Sequence, residues 1–268
     1  MLALYRFPGA TCAAKVLMAL HEKGVSFEDK VIGREDLASD WYRRLNPNGV
    51  VPTITHQGAV IIESSVILNY VEDAFSGPPL RPASALARAR MNYWLRLTDD
   101  ALESLGVLTY AIVMRRLYQS QTPAQREAQY AAIADPRRRA VRRSVIEYGL
   151  EAPEADYAFK TLFGLREHAS RAVREADFLA GDELSLADIA LAPFIARMQL
   201  LGLLDLAERD DTFDAWWARV QERPSFQRGV VDSMSTGAVD AARAAVALSR
   251  EHLARFRAAA VEAAPGPA

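Results

Sequence analysis

The spacing of apolar residues changes near Pro82. Before it, short runs that alternate apolar and polar residues predict four strands, over Leu2–Phe7, Val25–Ile32, Thr53–His56 and Ala59–Ile62. Apolar residues at helical spacing predict three helices in the same region, over Ala13–Lys23, Asp40–Leu45 and Ser65–Phe75. After Pro82 the helical spacing continues, interrupted only by prolines and short polar turns. We therefore expect an α/β region followed by an all-helical one.

The order of these elements, βαβ, then α, then ββα, is typical of a thioredoxin-like fold with a four-stranded mixed sheet. Gln57–Gly58 is a two-residue hairpin signal with glycine where a positive φ is needed, so the last two strands should be antiparallel. The segment SGPP at residues 76–79 favours a rigid linker. The expected fold class is α/β plus all-α, with a thioredoxin-like domain over residues 1–80 and a C-terminal helical bundle over residues 84–262.

Three helix starts in the second region have clear signals. Thr122–Pro123 and Asp135–Pro136 each place an N-cap residue before a proline at the first helical position. Ser185 and Asp188 have the spacing of a capping box. The five arginines between residues 137 and 143 are interpreted as a solvated helix face.

Charge and cysteine content exclude several classes of protein. The 268 residues include 32 basic and 34 acidic side chains, a net charge of -2, so no overall field favours nucleic acid or an anionic membrane surface. The single cysteine, Cys12, excludes an internal disulfide framework and suits a reducing compartment. No leader or membrane-spanning pattern occurs, so we expect a cytoplasmic protein. The four histidines show no ligand spacing, and no metal is predicted.

Five segments resemble the glutathione S-transferase family, in matching order: PGATCAAKVLMALHEKG, NPNGVVPTI, IIESSVILNYVEDAF, FLAGDELSLADIALAPFI and FDAWWARVQERPSFQR. Within that family, the segment SDWYRRLNP and the long insert between Tyr118 and Ala155 look most like the bacterial lignin β-aryl etherase-type enzymes. The resemblance implies glutathione as cosubstrate, a small hydrophobic or aromatic electrophile as substrate, and a homodimer.

Glutathione-binding residues follow from the resemblance. Val51–Pro52 would present its backbone to the cysteinyl part of glutathione, and the resemblance implies that this proline is cis. Glu63 would meet the ammonium of the glutamyl group. The hydroxyl of Ser64 and the N–H groups at the start of its helix would receive the glutamyl carboxylate. An edge-strand proline and an ordinary N-cap serine are the structural alternatives.

The group that activates the thiol is less clear, because Ala10 stands where related enzymes often carry a serine. Either the Thr11 hydroxyl donates to the glutathione thiolate, or Cys12 is a low-pKa thiolate that forms a mixed disulfide with glutathione. Their structural alternatives are a helix N-cap for Thr11 and a small buried apolar residue for Cys12. A further hypothesis is a glutathione-binding module that has lost catalysis and sequesters ligands or binds other proteins.

The electrophile is expected between the first turn and the helical domain. Phe7, Tyr110 and Met114 are the predicted substrate-binding residues. Most other aromatic residues on the first long helices are expected to pack in the core. Neither the identity of the electrophile nor its stereochemistry follows from this pattern.

Overall fold

A computed structural model describes the backbone of residues 1–263 and the side chains of residues 1–256. The α/β region contains four strands and three α-helices: β1 Leu2–Arg6, α1 Thr11–Glu22, β2 Phe27–Val31, α2 Asp40–Leu45, β3 Thr53–His56, β4 Ala59–Ile62 and α3 Ser64–Ala74. One sheet forms in the order β2-β1-β3-β4. β1 pairs parallel to β2 and antiparallel to β3, and β3 pairs antiparallel to β4. This mixed sheet confirms the predicted thioredoxin-like topology.

The predicted bounds of α2, β3 and β4 coincide with the observed ones, and the other four elements differ by one to two residues at either end. At the β3–β4 hairpin, Gln57 has φ 52° and Gly58 has φ 83°. Positive φ at both central residues is the geometry of a type I′ turn, whose twist matches that of the strands it joins. The hairpin signal in the sequence is therefore confirmed.

The rest of the described chain is helical apart from turns and one isolated bridge, between Phe178 and Gly181. Its α-helices are α4 Ala85–Thr109, α5 Arg115–Gln119, α6 Pro123–Ala131, α7 Pro136–Tyr148, α8 Pro153–Glu175, α9 Leu186–Leu200, α10 Asp211–Gln221, α11 Pro224–Phe226, α12 Thr236–Leu248 and α13 Arg250–Ala263. Two π-helical segments interrupt the series, at Tyr110–Met114 and Gln227–Val231. None of the helices in the described residues is long and apolar enough to cross a membrane.

All three predicted helix starts are confirmed. The Thr122 hydroxyl accepts from the N–H of Gln125, whose side chain in turn accepts from the N–H of Thr122. Asp135 accepts from the first N–H groups of α7. The Asp188 carboxylate accepts from both the N–H and the hydroxyl of Ser185. These side chains satisfy donors that have no partner within the helix itself.

The arginine-rich face of α7 is solvated, as expected: Arg137, Arg138 and Arg143 are exposed, and Arg139 and Arg142 are half-buried. The guanidinium of Arg142 lies 3.0 Å from the ring centroid of Tyr110, and that of Arg143 lies 4.5 Å from the ring centroid of Tyr130. Arg143 also donates to Glu127 over 2.5 Å. Because a guanidinium stacks well on an aromatic face, Arg142 and Arg143 pack against tyrosine rings while remaining accessible to water.

Contacts divide the chain into two compact units with interleaved segments. The first contains residues 1–99, 169–196 and 210–235, and the second contains residues 100–168 and 197–209 and the described residues from 236 onward. The expected domain limits, 1–80 and 84–262, remain a prediction. In the first unit, α1 packs against α3 and against the π-helix Gln227–Val231. A Cβ at Gly229 would lie 2.8 Å from the Met18 nitrogen, so glycine allows this close approach.

Candidate functional site

The candidate site begins where β1 runs into α1. Ala10 is the N-cap residue of α1 and Thr11 its first helical residue, so Thr11 is not the N-cap that one structural alternative required. The N–H of Gly9 donates to the Ser233 carbonyl at 3.0 Å, which ties this turn to the segment after the second π-helix. Thr11 is half-buried.

Cys12 lies in the first turn of α1 and is partly buried. Burial raises the pKa of its thiol above the ordinary value, and this effect outweighs the opposing influence of Lys15 and of a hydrogen bond with Ser64. The negative charges of Asp99 and Glu63 act in the same direction as burial. This direction is opposite to the low pKa expected from the sequence, because burial of the thiol outweighs the stabilisation of its anion by Lys15 and Ser64. A catalytic role of Cys12 remains a prediction.

The start of α3 brings the two predicted glutamyl-binding residues together. Ser64 is its first residue and is buried, and Glu63 precedes it as the N-cap with φ 68°. The first hydrogen bond within the helix is from the N–H of Ile67 to the Glu63 carbonyl, so the N–H groups ahead of it point out of the helix end. A helix end of this kind favours an anion. Asn48 donates to the exposed Glu63 carboxylate over 3.1 Å.

The loop that carries Val51–Pro52 is held by two buried side chains. The Tyr42 hydroxyl donates to the Val50 carbonyl at 2.7 Å, and the Asn46 amide donates to the same carbonyl at 2.8 Å. Asn46 also donates to the Thr53 hydroxyl at 3.1 Å. The Val51–Pro52 bond is cis and both residues are buried, in agreement with the resemblance. The loop backbone is thus fixed just ahead of β3.

Two of these supporting residues, Tyr42 and Asn46, were missed by the sequence analysis. Asn46 lies between the predicted helix Asp40–Leu45 and Pro47. An asparagine between a short helix and a turn has a local explanation, which hides its contact with Thr53, seven positions further on. The mixed sequence around Tyr42, DWYRRL, gave no sign that its hydroxyl would bind a main-chain carbonyl.

Lys15 is the second important omission. This lysine is fully buried, and its ammonium lies 3.2 Å from the Thr98 hydroxyl, 3.3 Å from the Asp99 carboxylate and 5.0 Å from the ring centroid of Phe194. The Ser65 hydroxyl donates to the same Asp99 oxygen at 2.8 Å. A lysine within the apolar run AAKVLMAL could have signalled a buried cation, but nothing local identified its partners.

The predicted substrate-binding residues lie in different units. Phe7 follows β1 in the first unit, with the guanidinium of Arg34 5.2 Å from its ring centroid. Tyr110 and Met114 are the first and last residues of a π-helical segment in the second unit. Such segments often occur at functional sites. The stacking of Arg142 gives Tyr110 a packing role, and binding of substrate by these three residues remains a prediction.

Chemically, the first unit combines four elements suited to a small thiol-containing peptide. They are a helix end that favours a carboxylate, a fixed loop beside a strand, a turn with a hydroxyl and a thiol, and a buried positive charge. The hydrogen bond between Ser64 and Cys12 shows that the helix end and the thiol-bearing turn adjoin each other. Among the described side chains, no group of His, Cys, Asp and Glu residues is arranged to hold a metal ion.

Two family models match the chain. The model described as the glutathione S-transferase N-terminal domain matches residues 4–79, and that described as the C-terminal domain matches residues 154–222. The first contains the β1–α1 turn, the Val51–Pro52 loop and the start of α3. The second contains Asp188 and its hydrogen-bond partners.

Several individual proteins are similar to this chain. Protein LigF from Sphingobium sp. (strain NBRC 103272 / SYK-6) is 28% identical over 84% of this chain and 91% of LigF. Glutathione S-transferase 1 from Dianthus caryophyllus is 31% identical over 76% of this chain and 80% of the relative. The crystal structure of the β-etherase LigF superimposes with a TM-score of 0.77 at 27% identity, over 86% of this chain and 99% of LigF.

Proposed function

Since the chain belongs to the glutathione S-transferase family, we propose that it uses the glutathione thiolate to attack or cleave a hydrophobic electrophile, an aromatic ether in particular. The observation that carries the proposal is the packing of α1 against α3, which places Cys12, in the first turn of α1, within the influence of Ser64 at the start of α3. A glutamyl group bound at the start of α3 would bring the cysteinyl part of the same tripeptide to the first turn of α1.

The glutamyl and cysteinyl parts of glutathione each have a matching group. The glutamyl carboxylate accepts hydrogen bonds from the Ser64 hydroxyl and from the N–H groups at the start of α3. The Glu63 carboxylate binds the ammonium of the same glutamyl group. The backbone of Val51 pairs with the cysteinyl residue, as an extended peptide pairs with a sheet edge. The Tyr42 and Asn46 hydrogen bonds to the Val50 carbonyl keep this loop in place, which lowers the entropy lost on binding.

In the reaction, the glutathione sulfur attacks the ether carbon, a C–S bond forms and the C–O bond breaks. The aryloxide leaves with the electron pair and takes a proton from water. A thiol with an ordinary pKa of about 8.5 is only a few per cent ionised at neutral pH. The Thr11 hydroxyl donates to the sulfur, and one such hydrogen bond to an anion contributes about 1.5–3 kcal/mol. The start of α1 adds about 0.3–1 kcal/mol.

The substrate class rests on similarity to LigF, whose crystal structure is described as that of a β-etherase. Phe7, Tyr110 and Met114 are the proposed apolar contacts of the aryl group. We also propose a homodimer, as the family resemblance implies, and a cytoplasmic location, which the single cysteine suits.

Calorimetry with glutathione and turnover of a chromogenic aryl ether test this function. We expect binding to wild type, release of the phenol only with glutathione present, and at least tenfold weaker binding by Ser64→Ala, because a hydrogen bond to a carboxylate is lost. Ser84→Ala, which alters a serine on an exposed turn, is the control and should bind as wild type does. Binding without turnover on ethers and aryl halides would instead favour the non-catalytic module.

A second candidate is thiol transfer by Cys12, favoured by its hydrogen bond with Ser64. The Cys12 thiolate would attack oxidised glutathione, forming a mixed disulfide and releasing one glutathione thiolate. Intact-mass analysis after treatment with oxidised glutathione tests this step. An adduct on wild type and none on Cys12→Ala is expected; an unmodified wild type would contradict it.

A further inference from the structure

The first turn of α1 lies beside a buried positive charge that the proposed reaction does not yet use. Lys15 follows Cys12 by three residues, a spacing that places both side chains on one face of the helix, about 5–6 Å apart at their Cβ atoms. Lys15 has no exposed surface, although lysine is almost never fully buried unless it is paired.

The partners of Lys15 only partly neutralise it. Its ammonium lies 3.3 Å from an Asp99 oxygen, which is longer than the 2.7–2.9 Å typical of a charge-assisted hydrogen bond. The side chain of Asp99 is 44% exposed, so water screens its charge, and Ser65 donates to the same oxygen. The other contacts, with Thr98 and the Phe194 ring, are uncharged.

The charged and polar groups that face Cys12 come from three helices. Lys15 is on α1, Glu63 and Ser64 are at the start of α3, and Asp99 is on α4. On the π-helix that packs against α1, the charge of Arg228 acts on His21. Lys15 is therefore the positive charge among the groups acting on Cys12, and low solvent content strengthens its effect.

We propose that Lys15 is a positioning residue for thiolate chemistry: its buried ammonium provides a fixed positive charge that stabilises a thiolate held at the first turn of α1. Two thiolates qualify, that of bound glutathione and that of Cys12. The first case rests on the proposed function, whereas the second requires only this chain. Asp99 destabilises a thiolate at this position. Its carboxylate repels the thiolate directly and also offsets part of the positive charge of Lys15.

The test titrates thiolate absorbance near 240 nm against pH. Because Cys12 is the only cysteine and tyrosinate also absorbs near 240 nm, the difference between wild type and Cys12→Ala, both without glutathione, reports Cys12. The Cys12→Ala protein saturated with glutathione reports the bound cosubstrate. Lys15→Met keeps an unbranched side chain of similar length and removes the charge. It should move the midpoint to higher pH and lower the thiolate fraction at pH 7 up to tenfold.

Two further variants make the test specific. Asp99→Asn should move the midpoint in the opposite direction, to lower pH. Lys23→Met is the matched control, since Lys23 is also a buried lysine beside α1 and is paired with Glu72 at 3.0 Å; its midpoint should equal that of wild type. A general loss of packing would not shift Lys15→Met and Asp99→Asn in opposite directions.

A higher titration midpoint for Lys15→Met supports the proposal, whether it is seen for Cys12 in the protein without glutathione or for glutathione bound to the Cys12→Ala protein. The measurement that shows the shift identifies the thiolate that Lys15 stabilises. Midpoints of Lys15→Met equal to those of Lys23→Met in both arms would overturn it. If Lys15→Met does not fold, the proposal is tested with Asp99→Asn alone. A titration midpoint of Asp99→Asn that does not lie below that of wild type would overturn the proposal. Failure of Cys12→Ala to bind glutathione would refute the proposed function, while the Cys12 arm would still test Lys15.

Discussion

Two buried charges in the first unit, Lys15 and Asp188, are held in contrasting ways. Both have no exposed surface. The Asp188 carboxylate accepts four hydrogen bonds of 3.0–3.1 Å, from the N–H groups of Leu179 and Ser185, the Ser185 hydroxyl and the Trp216 indole. Lys15 has one charged partner, the half-exposed Asp99, at 3.3 Å.

The difference separates two uses of a buried charge. Four donors fix Asp188 at the start of α9 and leave it no free lone pair to offer a ligand, so its charge serves the fold. The positive charge of Lys15 is only partly offset, because the carboxylate of Asp99 is screened by water. The thiol of Cys12 lies one helical turn away. A buried charge is therefore a candidate for function when its compensation is incomplete and a reactive group is nearby.

The largest expected effect is at Asp188. Asp188→Ala leaves four buried donors without an acceptor and should lower the free energy of unfolding by about 4 kcal/mol. Urea unfolding followed by circular dichroism measures it. Asp182→Ala, at an exposed aspartate six residues earlier, is the control and should be nearly neutral. A loss of less than about 1 kcal/mol in the free energy of unfolding for Asp188→Ala would contradict the claim that Asp188 serves the fold.

The next largest effect is expected at Thr11, which is proposed to stabilise the glutathione thiolate by a hydrogen bond, whereas Lys15 would do so by its buried charge. Thr11→Ala should lower kcat about 10- to 100-fold, because one hydrogen bond to the thiolate is lost, and leave glutathione affinity nearly unchanged. Thr11→Ser keeps the hydroxyl and should restore most of the turnover. Steady-state kinetics with calorimetry decide the point, and an unchanged kcat in Thr11→Ala would exclude this residue from the mechanism.

The smallest effect is expected at Glu22, a third charge, whose compensation is intermediate between that of Asp188 and that of Lys15. Burial opposes its ionisation, but hydrogen bonds from Arg223 and Ser225 outweigh it and hold the pKa of Glu22 below its usual value. A lowered pKa in the folded state stabilises the protein above the unfolded pKa of 4.5, and this stability is lost as pH falls through the folded value.

Glu22→Gln should therefore lose about 1 kcal/mol at pH 7, after allowance for the 36% exposure of the Arg223 side chain, and much less at pH 3. Urea unfolding at both pH values gives the comparison. The matched variant is Glu28→Gln, at an exposed glutamate, whose effect should be small at either pH. Equal losses for Glu22→Gln at pH 3 and pH 7 would show that its ionisation does not contribute.

Local patterns predicted the fold well. Periodicity and turn chemistry are properties of a few neighbouring residues, which is why the bounds of β3 and β4 and the Asp188 capping box could be read directly from the sequence. The π-helical segment at Tyr110–Met114 was not predicted, because a change in the backbone hydrogen-bond register leaves no distinct apolar period.

The site was predictable only where its residues are near one another in the chain. The Val51–Pro52 and Glu63–Ser64 segments were found through motif resemblance. The partners of Lys15, Thr98 and Asp99, are 83 and 84 residues away, and no local pattern encodes such a pairing. The burial that raises the pKa of Cys12 was not predictable for the same reason, because it depends on how distant segments pack around α1.

The most direct test of the central claim is the 240 nm difference absorbance when glutathione is added to the Cys12→Ala protein at pH 7. The account predicts a saturable thiolate signal that is lost in the Cys12→Ala, Ser64→Ala double variant together with binding. Binding without a thiolate signal, or no binding at all, would contradict the claim that this chain activates glutathione.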